Sequence, residues 1–76
     1  MGRLPVVSGD KTVKALAKIG FYVRRQTGSH LILRRDDPYA QVTVPKHSEL
    51  DRGTLKSILR GAGLSVDEFI ALLRKR

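Results

Sequence analysis

The 76-residue chain contains no cysteine and no tryptophan. Without thiols, neither a disulfide framework nor a cysteine-based zinc site can form, and the absence suits a reducing cytoplasm. Aromatic residues make up only 5% of the chain, too few for a broad platform on which nucleobases stack. Tyr22 is the one ring weighed for that role, and it reads more simply as an ordinary strand tyrosine. No run approaches the roughly 20 apolar residues that a bilayer-spanning helix needs. The apolar stretch within residues 1–7 is shorter than a signal peptide requires. A soluble, cytoplasmic protein with no membrane partner is expected. Carboxylates are also scarce, seven in all and scattered. Asp36 and Asp37, just before Pro38, read as turn chemistry and not as a metal clamp. No glycine-rich phosphate loop, paired carboxylates or serine nucleophile elbow is present, so neither a metal nor a small-molecule cofactor is expected.

Cations, by contrast, are abundant. Fifteen Lys and Arg against seven Asp and Glu give a net charge of +8. So large an imbalance in so short a chain creates a field that attracts polyanions. Nucleic acid and an acidic protein partner are both candidates, and a merely solvated basic surface is the third reading. The hydrophobic fraction of 41% is enough for one core. With no repeats, linkers or low-complexity tracts, a single domain over residues 1–76 is expected.

Glycine, proline and capping residues punctuate six segments. Ser8 is a helix N-cap for a helix from about Gly9 to Ile19, with Val13, Leu16 and Ala17 as its buried stripe. Gly20 ends that helix. Alternation from Phe21 to Gln26 reads as a strand, as does His30 to Arg35, joined by the turn Thr27-Gly28-Ser29. A three-residue turn sets Val23 opposite Leu33 and Gln26 opposite His30, and gathers Phe21, Val23, Leu31 and Leu33 on one face. Asp36-Asp37-Pro38 turns the chain into a third strand, Ala40 to Val44, closed by Pro45, which cannot donate a ladder hydrogen bond. Asp51 caps a second helix over 52–62, with Leu55, Ile58 and Leu59 inward and Gly63 at its end. Ser65 and Glu68 have capping-box spacing, and Leu64 and Phe69 that of a hydrophobic staple, at the start of a last helix with a basic tail. The order is α-β-β-β-α-α. An α+β fold follows, with a three-stranded antiparallel sheet, helices on one face and the other face open. This is the double-stranded-RNA-binding-like layout, an α-β-β-β-α core with an additional C-terminal helix.

Two histidines are the main candidates for chemistry, because imidazole exchanges protons near neutral pH. His30 alternates with Leu31 and Leu33, which puts it on the open side of the sheet with Ile32 and Arg34. There it can reach a phosphodiester, where a base near the ribose 2′-hydroxyl starts cleavage and cations offset charge on phosphorus. Arg24, Arg34 and Lys46 are candidate cations, and Gly28 and Ser29 can add backbone N–H groups or a hydroxyl. The alternative, a strand-end histidine that is simply exposed, stands beside this reading. His47 follows the third strand and can act as a second acid, bind phosphate or hold its loop. Lys11, Lys14 and Lys18 lie away from the buried stripe of the first helix. Arg52, Lys56 and Arg60 form an i, i+4 ridge on the second. Both sets can follow a phosphate backbone or form solvated helix edges.

Gly28-Ser29-His30, Val44-Pro45-Lys46-His47, the run Gly53 to Leu59, Ala62-Gly63-Leu64 and Glu68-Phe69 form an ordered series across almost the whole chain. With the opening Leu4 to Gly9 and the Gly20-Phe21 junction, it resembles the HicA family of toxins. The resemblance implies a small endoribonuclease toxin of a type II toxin–antitoxin system that cleaves mRNA and arrests growth. It implies that His30 is catalytic and that a HicB-like antitoxin covers the active site. It also maps the family's Pro-x-His and Gly-Thr elements onto Pro45, His47, Gly53 and Thr54. A non-catalytic basic RNA-binding module is the alternative. Gly61, inside the second helix, is a departure where a longer side chain would be usual.

Overall fold

A computed structural model describes residues 3–75. Met1 and Gly2 of the opening stretch, and Arg76 of the basic tail, lie outside the described residues. The element order is α1 (Gly9–Ala17), β1 (Tyr22–Thr27), β2 (His30–Asp36), β3 (Tyr39–Pro45), α2 (Arg52–Ala62) and α3 (Val66–Arg74). The strands form one antiparallel sheet in the order β1-β2-β3. This is the expected α+β arrangement, an α-β-β-β-α core followed by a C-terminal helix.

Local chemistry accounts for the helix ends. The Ser8 and Asp51 side chains accept from the Lys11 and Thr54 amides at the starts of α1 and α2. At α3 a full capping box forms: Glu68 N–H donates to Ser65 Oγ, and Ser65 N–H donates to Glu68 Oε1. Each cap satisfies a donor that the helix itself cannot. Leu64 is half-buried and Phe69 fully buried, as the staple pattern requires.

The core lies between one face of the sheet and the helices. Leu31 pairs with Val44 and Leu33 with Val42, and all four are buried. Leu16, Leu55, Ile58, Leu59, Ala62 and Phe69 cover them. The stripe of α1 differs from its sequence reading. Leu16 is buried as expected, but Thr12 and Ala15 share the interior with it, while Ala17 is exposed and Val13 half-buried. Thr12 is accommodated because its hydroxyl donates to the Ser8 carbonyl at 3.0 Å.

The β1–β2 register contains a second difference. Val23 does face Leu33, but Thr27, not Gln26, stands opposite His30. The turn has two residues, Gly28 and Ser29, with Gly28 at φ +59°. Positive φ at the first turn residue only is the pattern of a type II′ hairpin, which favours glycine there. Such a turn shifts pairing by one residue, and a β-bulge between Val23 and Arg25 shifts it back. The bulge leaves Arg24 out of the ladder and sets Arg25 opposite Ile32. Val23 is not part of the core: it is 45% exposed. The helices contact β3 more than β1, so this edge strand keeps solvent on both faces.

Gly61 has a packing reason. A Cβ there would lie 2.9 Å from Val42 Cγ1. The missing side chain lets α2 settle directly on β3.

Candidate active site

Strand alternation that buries Leu31 and Leu33 turns His30, Ile32 and Arg34 to the opposite face. His30 is exposed, at the very start of β2. Its cross-strand neighbours are Thr27 on β1 and Pro45 on β3. Three backbone hydrogen bonds knit the segments around it. Lys46 N–H donates to the Ser29 carbonyl at 2.6 Å, Gly9 N–H to the His47 carbonyl at 2.9 Å, and Leu50 N–H to the Val7 carbonyl at 2.9 Å. One end of the molecule therefore gathers the β1–β2 turn, the β3–α2 loop and the start of α1.

Gly9 makes this gathering possible. A Cβ at that position would stand 2.1 Å from the Pro45 carbonyl oxygen, a contact with backbone that no rotamer can relieve. The Gln26 side-chain amide donates to the Gly28 carbonyl at 2.9 Å and braces the turn from β1.

The candidate cations fare differently from one another. Lys46 is exposed and follows Pro45 directly, beside Ser29, so its charge belongs to the His30 end. Arg34 shares the face of His30 but lies four residues along β2, about 13 Å away at strand rise. Its Nε donates to Asp36 Oδ1 at 2.9 Å. That bond, with the nearby Tyr22 hydroxyl and the Asp36 charge, raises the Arg34 pKa above its ordinary value. Arg34 is thus committed to a partner and does not join His30. Arg24 sits in the bulge without a ladder partner, whereas Arg25 occupies the open face opposite Ile32, adjoining His30. Arg25 is the cation that sequence alternation passes over. The Gly28-Ser29 pair, itself a hairpin-turn signature, is the signal that points to it.

His47 is exposed, and its backbone carbonyl is held by Gly9. The Asp51 carboxyl lies below its usual pKa, chiefly because it accepts from the Thr54 backbone, and His47 adds a smaller electrostatic pull. Gly53 and Thr54 form the first turn of α2. Thr54 supplies the capped amide, and a Cβ on Gly53 would meet nothing closer than 3.7 Å.

On the helices, Lys11, Lys14, Arg52, Lys56 and Arg60 are all exposed. Arg52 and Lys56 line a hollow of about 660 Å³ together with Arg3. Lys18 is engaged: its ammonium donates to the Leu72 carbonyl at 2.7 Å and also to the Lys75 carbonyl, closing the C-terminal end of α3. Among the described residues, no three His, Asp or Glu side chains are grouped so as to hold a metal ion. Nor is any described helix long and apolar enough to cross a membrane.

These features define a small, basic α+β protein with an exposed histidine at the end of an open sheet face and an exposed lysine in the adjoining loop. Over residues 9–64 the chain matches the family model described as HicA toxin of bacterial toxin-antitoxin. The chain belongs to that family: it has the toxin role, and an antitoxin is its partner. The match spans α1, the whole sheet and α2, including His30. No curated protein gives a significant match.

Proposed function

We propose that this toxin is a metal-independent endoribonuclease that cleaves mRNA, with His30 as its catalytic base and a HicB-like protein as its antitoxin. The observation that carries the reading is the exposed histidine at the start of β2, flanked on the neighbouring strands by Thr27 and Pro45, with the Lys46 backbone tied to the turn just before it. RNA brings its own nucleophile. His30 takes the proton of a ribose 2′-hydroxyl, the 2′-oxygen bonds to the adjacent phosphorus, and the bond from phosphorus to the 5′-oxygen breaks. The leaving 5′-oxygen takes up a proton from solvent water, and His30 later returns its own proton to solvent. The products are a 2′,3′-cyclic phosphate and a 5′-hydroxyl. Positive charge at Lys46 and Arg25 offsets the negative charge that builds on the phosphorane oxygens. Lys11, Lys14, Arg52, Lys56 and Arg60 hold the flanking backbone, which makes binding salt-dependent. An open surface suits a polymer that must slide past the base. A HicB-like antitoxin that covers this end would silence the enzyme in the cytoplasm.

The chemistry is tested with an RNA carrying one 2′-deoxyribose at a mapped cleavage position. Cleavage should stop there and continue elsewhere, leaving cyclic phosphate ends, in the presence of a chelator. Cutting at the deoxyribose would refute 2′-hydroxyl attack. RNA that stays intact under all conditions would leave a non-catalytic RNA-binding module.

A further inference from the structure

The open face of the sheet ends, at the tip away from His30, in a second cluster. The β1–β2 register sets Tyr22 opposite Arg34, and the β2–β3 hairpin sets Asp36 opposite Tyr39. Alternation along β2 puts these residues on the same face as His30. The Tyr22 hydroxyl lies 3.2 Å from both Asp36 carboxylate oxygens. Arg34 Nε bonds Asp36 Oδ1 at 2.9 Å, and the guanidinium carbon stands 5.7 Å from the centre of the Tyr39 ring. The Tyr39 hydroxyl reaches Gln41 Oε1 at 3.4 Å.

Both rings remain in water, Tyr22 at 43% and Tyr39 at 66% exposure. They are nonetheless held in place by the Arg34–Asp36 pair, which lowers the entropy cost of binding a flat partner. Asp36 cancels the Arg34 charge, so the cluster suits a base more than a phosphate. Aromatic and guanidinium planes are what unpaired bases stack on, largely without regard to sequence. Between the cluster and His30 the face carries Ile32, Arg25, Gln41 and Thr43, three of them polar. That lining fits a solvated strand better than the apolar centre of a protein interface. The distance from His30 to Asp36 is about 20 Å of extended strand.

We propose that Tyr39 and Tyr22, braced by Arg34 and Asp36, form a stacking subsite for an unpaired base of the RNA strand, a few nucleotides from the bond presented to His30. The subsite rests on the ribonuclease reading and adds to it a requirement for single-stranded flank.

The chain has two tyrosines and no tryptophan, so its tyrosine emission reports on this cluster alone. Full-length His30→Ala protein is titrated with a single-stranded RNA oligonucleotide and with the same RNA annealed into a duplex. Saturable quenching is expected with the single strand and little with the duplex. Tyr39→Ala in the same background should weaken single-strand binding roughly tenfold, with the melting temperature showing that the fold survives. Single-strand binding with unchanged emission, or with unchanged affinity in Tyr39→Ala, overturns the subsite. So does a Tyr39→Ala protein that loses antitoxin binding but keeps its RNA affinity. Wild-type cleavage without quenching removes the subsite and leaves the ribonuclease. Quenching without wild-type cleavage removes the ribonuclease and leaves the stacking.

Discussion

The Lys46 amide donates to the Ser29 carbonyl at 2.6 Å, which lays the end of β3 against the turn that precedes His30. Through this bond the backbone of Lys46 is structural, while the proposed mechanism assigns its exposed side chain to the substrate. Lys46→Ala should therefore retain the wild-type melting temperature and lose about tenfold in cleavage rate, the equivalent of roughly 1.4 kcal/mol of transition-state stabilisation. Single-turnover kinetics beside a thermal melt checks both halves.

Gly9→Ala addresses the same end of the molecule from α1. Its new Cβ would overlap the Pro45 carbonyl oxygen, and backbone cannot rotate away. A destabilisation of about 2 kcal/mol or more is expected, with a drop of roughly 10 °C in melting temperature. Cleavage should fall beyond what unfolding explains, because Lys46 and His47 shift with Pro45. Wild-type stability in this variant would remove the close contact from the account.

At Gly61 the expected effect changes sign with its neighbour. Alone, Gly61→Ala should destabilise, since a Cβ would sit 2.9 Å from Val42 Cγ1. In a Val42→Ala background the clash is gone, and the helix gains roughly 0.5–1 kcal/mol from losing its glycine. Denaturant melts of the four proteins in the cycle measure the coupling.

Asp51 sets an acid-side dependence. Its folded-state pKa is depressed, first by the hydrogen bond from the Thr54 backbone. A depressed carboxyl contributes stability above its unfolded pKa, near 3.9, and loses that contribution as pH falls through the folded value. Thermal melts from pH 6 downward, values chosen as roughly bracketing that titration, should thus show a steeper loss for wild type than for Asp51→Asn. Asparagine caps without titrating. Parallel curves would contradict the assignment.

Lysines of α1 should separate in a salt series. Lys11→Ala and Lys14→Ala should each lower the slope of log affinity for RNA against log salt by up to about 1. Lys18→Ala should leave that slope alone and lower stability, because its ammonium is held by the Leu72 and Lys75 carbonyls.

That last contrast marks where sequence reading reaches its limit. Signals confined to a few neighbouring residues carry through: Ser8, Asp51 and Ser65 cap as their spacing implies, and α2 runs over 52–62 as expected. His30 is legible too, since alternation with Leu31 and Leu33 is enough to turn it outward. Lys18 is not, because its partners lie 54 and 57 residues away. Arg25 is hidden by the bulge, which breaks the very alternation used to assign faces. Tyr39 gains meaning only when the hairpin folds it beneath Arg34. Gly61 reads as a flaw until the approach of Val42 explains it.

The central claim concerns one imidazole. Purified wild-type and His30→Ala proteins, matched by circular dichroism and melting temperature, are compared for cleavage of the same RNA. A loss of at least about 100-fold is expected, the lower end of what a positioned base supplies. Equal rates from the two proteins would contradict the account.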